Sequence, residues 1–311
     1  MRVVVTGAAG FIGSHLCEAL LDDGHEVTGL GWLQPPGNIR RALAHPKFCF
    51  VPATIHRDYL GVALKDMDAV LHLAARAGTA PSWKQFEDYV QCNVVATQRL
   101  LDACCGMAPM PQFVYASSSS VYGSNAVRSE AEATFEPVSP YGVTKLAAEH
   151  LCWAYAKAHG LPLTILRLFS VYGPRQRDDM AFTIFMRRLA RTQPIEVYGD
   201  GFQRRSFTFV SDAVDAFRRC LADPVAARGQ AFNVGGGGEI SLNDALVLLG
   251  DVAGREVTVE HGPQRVGDQQ QTAANIGKAR RLLGYAPKVG LREGLAAQWE
   301  WVMETEGAKC N

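Results

Sequence analysis

Hydrophobic positions along the chain alternate between two periods. Arg2 to Val5 is a short, mostly β-branched run closed by Thr6-Gly7, and from Phe11 to Leu21 apolar residues recur at helical spacing through Ile12, Leu16, Ala19 and Leu20. The pattern predicts a strand, a glycine turn and a helix. It recurs, with strands predicted at Glu26–Leu30, Ala69–Leu73, Gln112–Ala116 and Leu163–Leu168, and helices over Phe86–Cys105 and Pro140–His159. Strands separated by helices predict βαβ units, and so an α/β fold with a doubly wound, mostly parallel sheet.

The rhythm changes after Phe169. Val171-Tyr-Gly-Pro174 and the charged stretch Arg175 to Asp179 predict an irregular loop ahead of a helix at Ala181–Arg191. Phe207–Val210 and Ala231–Val234 have the composition of short strands, the second followed by Gly235 to Gly238. Leu242–Gly250, Ile276–Leu283 and Leu291–Met303 have helical spacing. The expectation is a smaller C-terminal α/β lobe facing the sheet across a crevice. Residues 1–170, with a returning segment at about 206–235, would form the first domain, and 171–205 with 236–311 the second. Apart from Ser117 to Ser120 and the glycine run there is no repeat or low-complexity tract, which excludes a solenoid.

A chain of 311 residues that is 48% hydrophobic and 20% charged has the makings of a folded core. Thirty-one basic residues balance thirty-one acidic ones, so net charge offers nothing to nucleic acid. The eight cysteines form no C-x-x-C pair and no cluster with histidine at zinc spacing; no metal is expected, and they read as reduced thiols of a cytoplasmic protein. The apolar start is interrupted by glycines and lacks a signal-cleavage site. No apolar run reaches the roughly 18 residues of a membrane helix, so no membrane partner is expected.

Gly7, Gly10 and Gly13 follow the first strand and open the first helix. A dinucleotide pyrophosphate needs bare backbone N–H groups and the positive end of a helix dipole at that place. The plainer alternative is a turn that lets helix and strand pack closely. The second strand ends Val27-Thr-Gly-Leu-Gly31-Trp32, without the acid that usually binds the ribose 2′-hydroxyl of NAD. Arg40 and Arg41 could accept the 2′-phosphate of NADP or be two solvated charges; the second is preferred, and with it NAD. Further on, Tyr141 and Lys145 lie four residues apart on one predicted helix face. An ammonium there, with a nicotinamide cation, should lower the phenol's pKa from about 10 and suit it to act as a general base.

Taken together, Thr6 to Gly13, His72-Leu-Ala-Ala75, Asn93, Ser117 to Gly123, Tyr141 to Lys145, Val171 to Pro174, Gly199 to Arg205 and Arg265-Val-Gly-Asp268 resemble the extended short-chain dehydrogenase/reductase family, in its nucleotide-sugar branch. The resemblance implies a Rossmann-type sheet with a C-terminal substrate-binding lobe, NAD as cofactor, a UDP-sugar as substrate, and a homodimer. It places the cofactor on Gly7, Gly10, Phe11, Ile12, Gly13, Leu73, Ala74, Ala75, Asn93, Tyr141 and Lys145. Tyr141 would take the proton of the sugar C4 hydroxyl, relayed by Ser118 with Ser119 beside it. Ser120, Ser170, Arg177, Arg205, Arg265 and Asp268 would complete the substrate site.

Family dehydratases carry Asp-Glu where this chain has Ser119 and Ser120, and decarboxylases carry Glu at the second position. Two hydroxyls cannot serve as that acid and base, so 4-epimerisation is the implied chemistry. His72 to Gly78 and Tyr172 to Ala181 are similar to the UDP-glucuronate 4-epimerases, although Asp178 replaces their proline. In that setting Arg177, less readily Arg175, would bind the C6 carboxylate. UDP-glucose or UDP-N-acetylglucosamine epimerisation and UDP-glucuronate decarboxylation are the alternatives.

Overall fold

The computed structural model describes residues 1–32, 36–123, 129–130, 134–264 and 269–307. The first half yields six strands in chain order: β1 (Arg2–Thr6), β2 (Glu26–Gly31), β3 (Phe48–Pro52), β4 (Ala69–His72), β5 (Gln112–Ser118) and β6 (Leu163–Leu168). Short strands β7 (Val171–Tyr172), β8 (Ile195–Tyr198), β9 (Arg204–Arg205) and β10 (Thr208–Phe209) follow, then β11 (Gln230–Val234), β12 (Ile240–Ser241), β13 (Val259–Gly262) and β14 (Gln271–Thr272). Seven strands form one sheet in the order β11-β6-β5-β4-β1-β2-β3, and every pair is parallel. This is a Rossmann-type α/β fold. The chain winds outward in both directions from β1, so the crevice above the carboxyl ends of β1 and β4 is the natural ligand position.

Both faces of the sheet are covered. Helices Phe11–Asp22, Val210–Ala222 and Gly277–Leu283 bury Leu16, Leu20, Phe217 and Leu283 on one face. Helices Ala96–Cys105 and Pro140–His159 bury Leu100, Leu101, Ala148 and Cys152 on the other. A separate core built on Phe182, Met186, Val197, Leu246, Leu249 and Leu295 holds together the smaller lobe. Its small sheets are β12-β9-β14 and β13-β8. Among the described residues, no helix is long and apolar enough to cross a membrane.

Three elements depart from the sequence expectation. The stretch Phe86 to Cys105 is not one α-helix: Phe86–Tyr89 runs into a π-helical segment, Val90–Val95, before Ala96–Cys105 resumes α-helical geometry. Phe207–Val210 is not a four-residue strand, because β10 ends at Phe209 and Val210 already begins the helix to Ala222, which buries Val214 and Phe217. Edge strand β3 was not foreseen; it pairs on one side only, with β2.

Candidate active site

Two glycine conformations shape the cofactor end. Gly7 has φ +69°, and a Cβ there would stand 3.0 Å from the Ala74 backbone on the neighbouring strand's exit. A Cβ on Gly13 would stand 2.2 Å from the Gly7 carbonyl oxygen, so only hydrogen lets the helix start press against the turn. Gly10 is the N-cap and offers no side chain to the first-turn N–H groups, and that turn holds no acid. Bare donors at the positive end of a twelve-residue helix fit a pyrophosphate. Phe11 packs into a small cluster with Val171, Val210 and Ala213, with Ile12 against it, so these two side chains serve packing and offer the turn only their backbone N–H groups.

A polar cluster fixes the β4 exit against this turn. The Leu73 and Ala74 N–H groups donate to Thr6 Oγ1 at 3.1 and 3.0 Å, and Thr6 Oγ1 lies 2.7 Å from His72 Nδ1. With Thr6 already accepting two bonds, its own proton goes to His72. The other ring nitrogen is 2.9 Å from Thr97 Oγ1, and burial pushes the His72 pKa down to about 3, leaving a neutral ring. Leu73 and Ala74 thus shape the wall of the crevice with their N–H groups already bonded, while Ala75 is exposed within it.

The Asn93 side chain is bonded within the protein. Its Oδ1 accepts from the Arg76 N–H at 2.7 Å, and its Nδ2 donates to the Arg76 carbonyl and to Thr144 Oγ1, both at 3.0 Å. Both amide hydrogens are engaged within the protein, so the side chain ties the β4 exit to helix Pro140–His159. The π-helical segment turns it inward.

Helix Pro140–His159 begins with Ser139 accepting from the Gly142 N–H at 3.1 Å and with Pro140 in the first turn; it ends at Gly160 with φ +75°. A buried ion pair anchors it, with Arg167 Nη2 2.7 Å from Glu149 Oε2 and Arg167 Nη1 donating to the Tyr122 hydroxyl at 2.8 Å. Lys145 Nζ donates to the Ala116 carbonyl at 2.5 Å and lies 4.3 Å from the centre of the Tyr115 ring. Burial lowers its pKa to about 7, opposed by the Glu149 charge. For Tyr141, desolvation pushes the phenol above its ordinary value; a Ser118 hydrogen bond and the Arg177 charge pull it back. The expected depression is therefore not supplied by Lys145 in the protein alone.

The serine run sets a hydroxyl against Tyr141. Ser118 ends β5, and its Oγ accepts from the Ser120 N–H at 3.1 Å while bonding to Tyr141, so its proton is available to that bond. Ser119 is buried in the 3-10 turn Ser119–Val121, and Ser120 is partly exposed beside it.

Arg177 is brought to Tyr141 although the two are 36 positions apart in the chain. Its guanidinium donates to both Asp179 oxygens at 2.9 and 2.7 Å and to the Ala77 carbonyl at 3.2 Å. The Tyr89 hydroxyl donates to the Gly78 carbonyl at 2.8 Å, and the Tyr89 and Tyr141 rings meet edge to face at 6.2 Å. Arg175 is elsewhere: it reaches Glu18 at 3.0 Å on helix Phe11–Asp22. Neither Tyr89 nor Asp179 stood out from sequence, one being an ordinary member of an apolar stripe and the other one charge in a charged loop.

Next to Asp179 opens a cavity of about 420 Å³ whose lining includes Thr79, Ser170, Arg188, Glu196 and Arg205. Ser170 and Arg205 thus meet in one chamber. Arg188 and Glu196 were not anticipated, because helix Ala181–Ala190 and β8 join that wall only in the folded lobe. Arg265 and Asp268 lie outside the described residues. Arg41 is bound to Asp22 at 2.8 Å, as a surface charge.

Comparison with known proteins identifies a family. The model of the NAD dependent epimerase/dehydratase family matches residues 3–235. The chain is 40% identical to the uncharacterized UDP-glucose epimerase YtcB of Bacillus subtilis, over 95% of this chain and 96% of that protein. It is 31% identical to a probable UDP-glucuronate 4-epimerase of Rhizobium meliloti, over 97% and 96%. Among solved structures, the UDP-glucuronic acid 4-epimerase from Bacillus cereus, in complex with UDP-glucuronic acid and NAD, superposes with a TM-score of 0.94 at 39% identity, covering 98% of this chain and all of that one. The chain belongs to the NAD dependent epimerase/dehydratase family.

Proposed function

We propose that the chain is an NAD-dependent UDP-glucuronate 4-epimerase, interconverting UDP-glucuronate and UDP-galacturonate through a transient 4-ketose. The observation that carries this reading is that Arg177 and Ser118 both act on Tyr141, one through its charge and the other through a hydrogen bond, with hydroxyls alone at Ser119 and Ser120. NAD, which the glycine turn would hold, would supply reversible hydride acceptance for sugar C4. Tyr141 takes the C4 hydroxyl proton, with Ser118 relaying it, and gives it back after the ketose has turned. Lys145, charged when protonated, favours the phenolate and orients the cofactor ribose. Gly7, Gly10 and the N–H groups of Phe11, Ile12 and Gly13 hold the pyrophosphate.

Arg177 binds the C6 carboxylate through a charge-assisted fork, with the Ser118 or Ser170 hydroxyl beside it, exchanging its Asp179 partner for the substrate. A 4-keto-glucuronate is a β-keto acid, which loses carbon dioxide once the C5–C6 bond lines up with the carbonyl π system. Holding the carboxylate prevents that alignment. The nucleotide lies in the 420 Å³ cavity, with Arg205 placed for the diphosphate and, by resemblance, Arg265 and Asp268 completing the site. A second reading has its own support: Asp179 already satisfies Arg177, which suits a neutral sugar such as UDP-glucose.

The reading extends to a homodimer in the cytoplasm, formed on the faces of helices Ala96–Cys105 and Pro140–His159, beside which Trp83, Phe86 and Val143 are exposed. Sedimentation velocity tests the dimer. The function is tested by incubating the protein with UDP-glucuronate and following the C4 configuration by proton NMR. UDP-galacturonate is the expected product; UDP-pentose with carbon dioxide would mean decarboxylation, and turnover of UDP-glucose alone would favour the second reading.

A further inference from the structure

Gly31 closes β2 directly against the glycine turn, where the Ala8 N–H donates to the Leu30 carbonyl at 3.2 Å. Nothing in the backbone requires glycine there. Its φ is outside the left-handed range, and a Cβ would come no nearer than 3.7 Å, to the Ala8 nitrogen and Gly7 Cα, ordinary contact distances. Two residues earlier, on the same side of the strand, Gly29 differs: a Cβ would stand 2.8 Å from Ala8 Cβ and 2.9 Å from Phe48 Cζ. So Gly29 is dictated by packing and Gly31 is not. A side chain at Gly31 would point at the turn that holds the dinucleotide, and this chain places none there.

Discrimination between NAD and NADP uses a carboxylate at this strand end. It accepts hydrogen bonds from the ribose hydroxyls of NAD and repels the 2′-phosphate of NADP. Removing it weakens the first ligand and relieves the second, so both effects narrow the gap. Nearby charge does not restore it. Glu18, Asp22 and Asp23 on the cofactor helix and just after it are paired with Arg175, Arg41 and Arg218. Asn38 Nδ2, 3.4 Å from the Ala9 carbonyl, ties the following segment to the turn, and Arg40 beside it is exposed.

We propose that Gly31 leaves the adenosine-ribose end of the site indifferent to a 2′-phosphate, so that the protein binds NADP about as well as NAD. The proposal depends on the dinucleotide reading of the glycine turn and not on the identity of the sugar. Its test is calorimetric titration of the nucleotide-stripped protein with each dinucleotide separately. The expected dissociation constants lie within about tenfold of one another, with Gly31→Asp opening at least a further tenfold preference for NAD. Gly31→Ala, which adds bulk without charge, leaves the ratio unchanged. A gap wider than tenfold in the parent protein, or no change in Gly31→Asp when circular dichroism shows it folded, overturns the proposal. Binding of neither dinucleotide overturns the dinucleotide reading along with it.

Discussion

Asn93→Ala separates a cofactor ligand from a clamp. The side chain is 1% exposed, and its removal leaves the Arg76 N–H and carbonyl without their partner, while Thr144 keeps its bond to the Tyr141 carbonyl at 2.8 Å. Two orphaned backbone groups at roughly 1–3 kcal/mol each give a loss of about 3 kcal/mol, toward the lower side because Arg76 lies near solvent. For a protein of this length the unfolding entropy turns that into a fall in Tm of about 5 °C. The lost tie between the β4 exit and the catalytic helix should also reduce kcat, since a displacement of about 1 Å at Tyr141 costs on the order of a hundredfold. Differential scanning calorimetry and NAD titration on the same preparation check both parts. The expected result is a lower Tm with NAD affinity within about threefold of the parent. An unchanged Tm with tenfold weaker NAD binding would falsify the clamp and return Asn93 to the cofactor.

Three further outcomes follow from the site. Arg177→Ala should raise KM for UDP-glucuronate by roughly ten- to a hundredfold, the worth of a charge-assisted pair, and release UDP-pentose detectable by NMR; neither effect appearing would remove Arg177 from the carboxylate. Gly13→Ala forces its Cβ against the Gly7 carbonyl at 2.2 Å, so NAD affinity should fall by at least about tenfold by calorimetry, and parent-like affinity would show that the turn yields. Lys145 has a pKa of about 7 in the folded protein against about 10.5 unfolded, so between those values the unfolded chain carries the extra proton. The stability of the cofactor-free parent, relative to Lys145→Met, should therefore rise with pH from about 7 to 10.5, by up to about 1.4 kcal/mol per pH unit, and level off below 7. Urea unfolding curves that run parallel across that range would contradict a neutral buried lysine.

The alternation of periods along the first 170 residues already specified a doubly wound parallel sheet, because strand and helix periodicities are local properties of side-chain spacing. The glycine turn, the Tyr141–Lys145 pair and the serine run were legible for the same reason, since each is a short-range pattern on one element. The missed features are those that local pattern does not encode. Val210 begins a helix because its apolar stripe finds helix Phe11–Asp22, and β3 exists because β2 offers it an edge. Asn93 became a clamp through a π-helical turn, and Arg177 met Asp179 and Tyr141 through a loop that only the second lobe positions. Even the charge state of the Tyr141–Lys145 pair was decided there: sequence places an ammonium four residues from a phenol, but burial lowers the Lys145 pKa to about 7 and holds Tyr141 above its ordinary value. Desolvation depends on everything packed around a group, and that is a property of the tertiary structure alone.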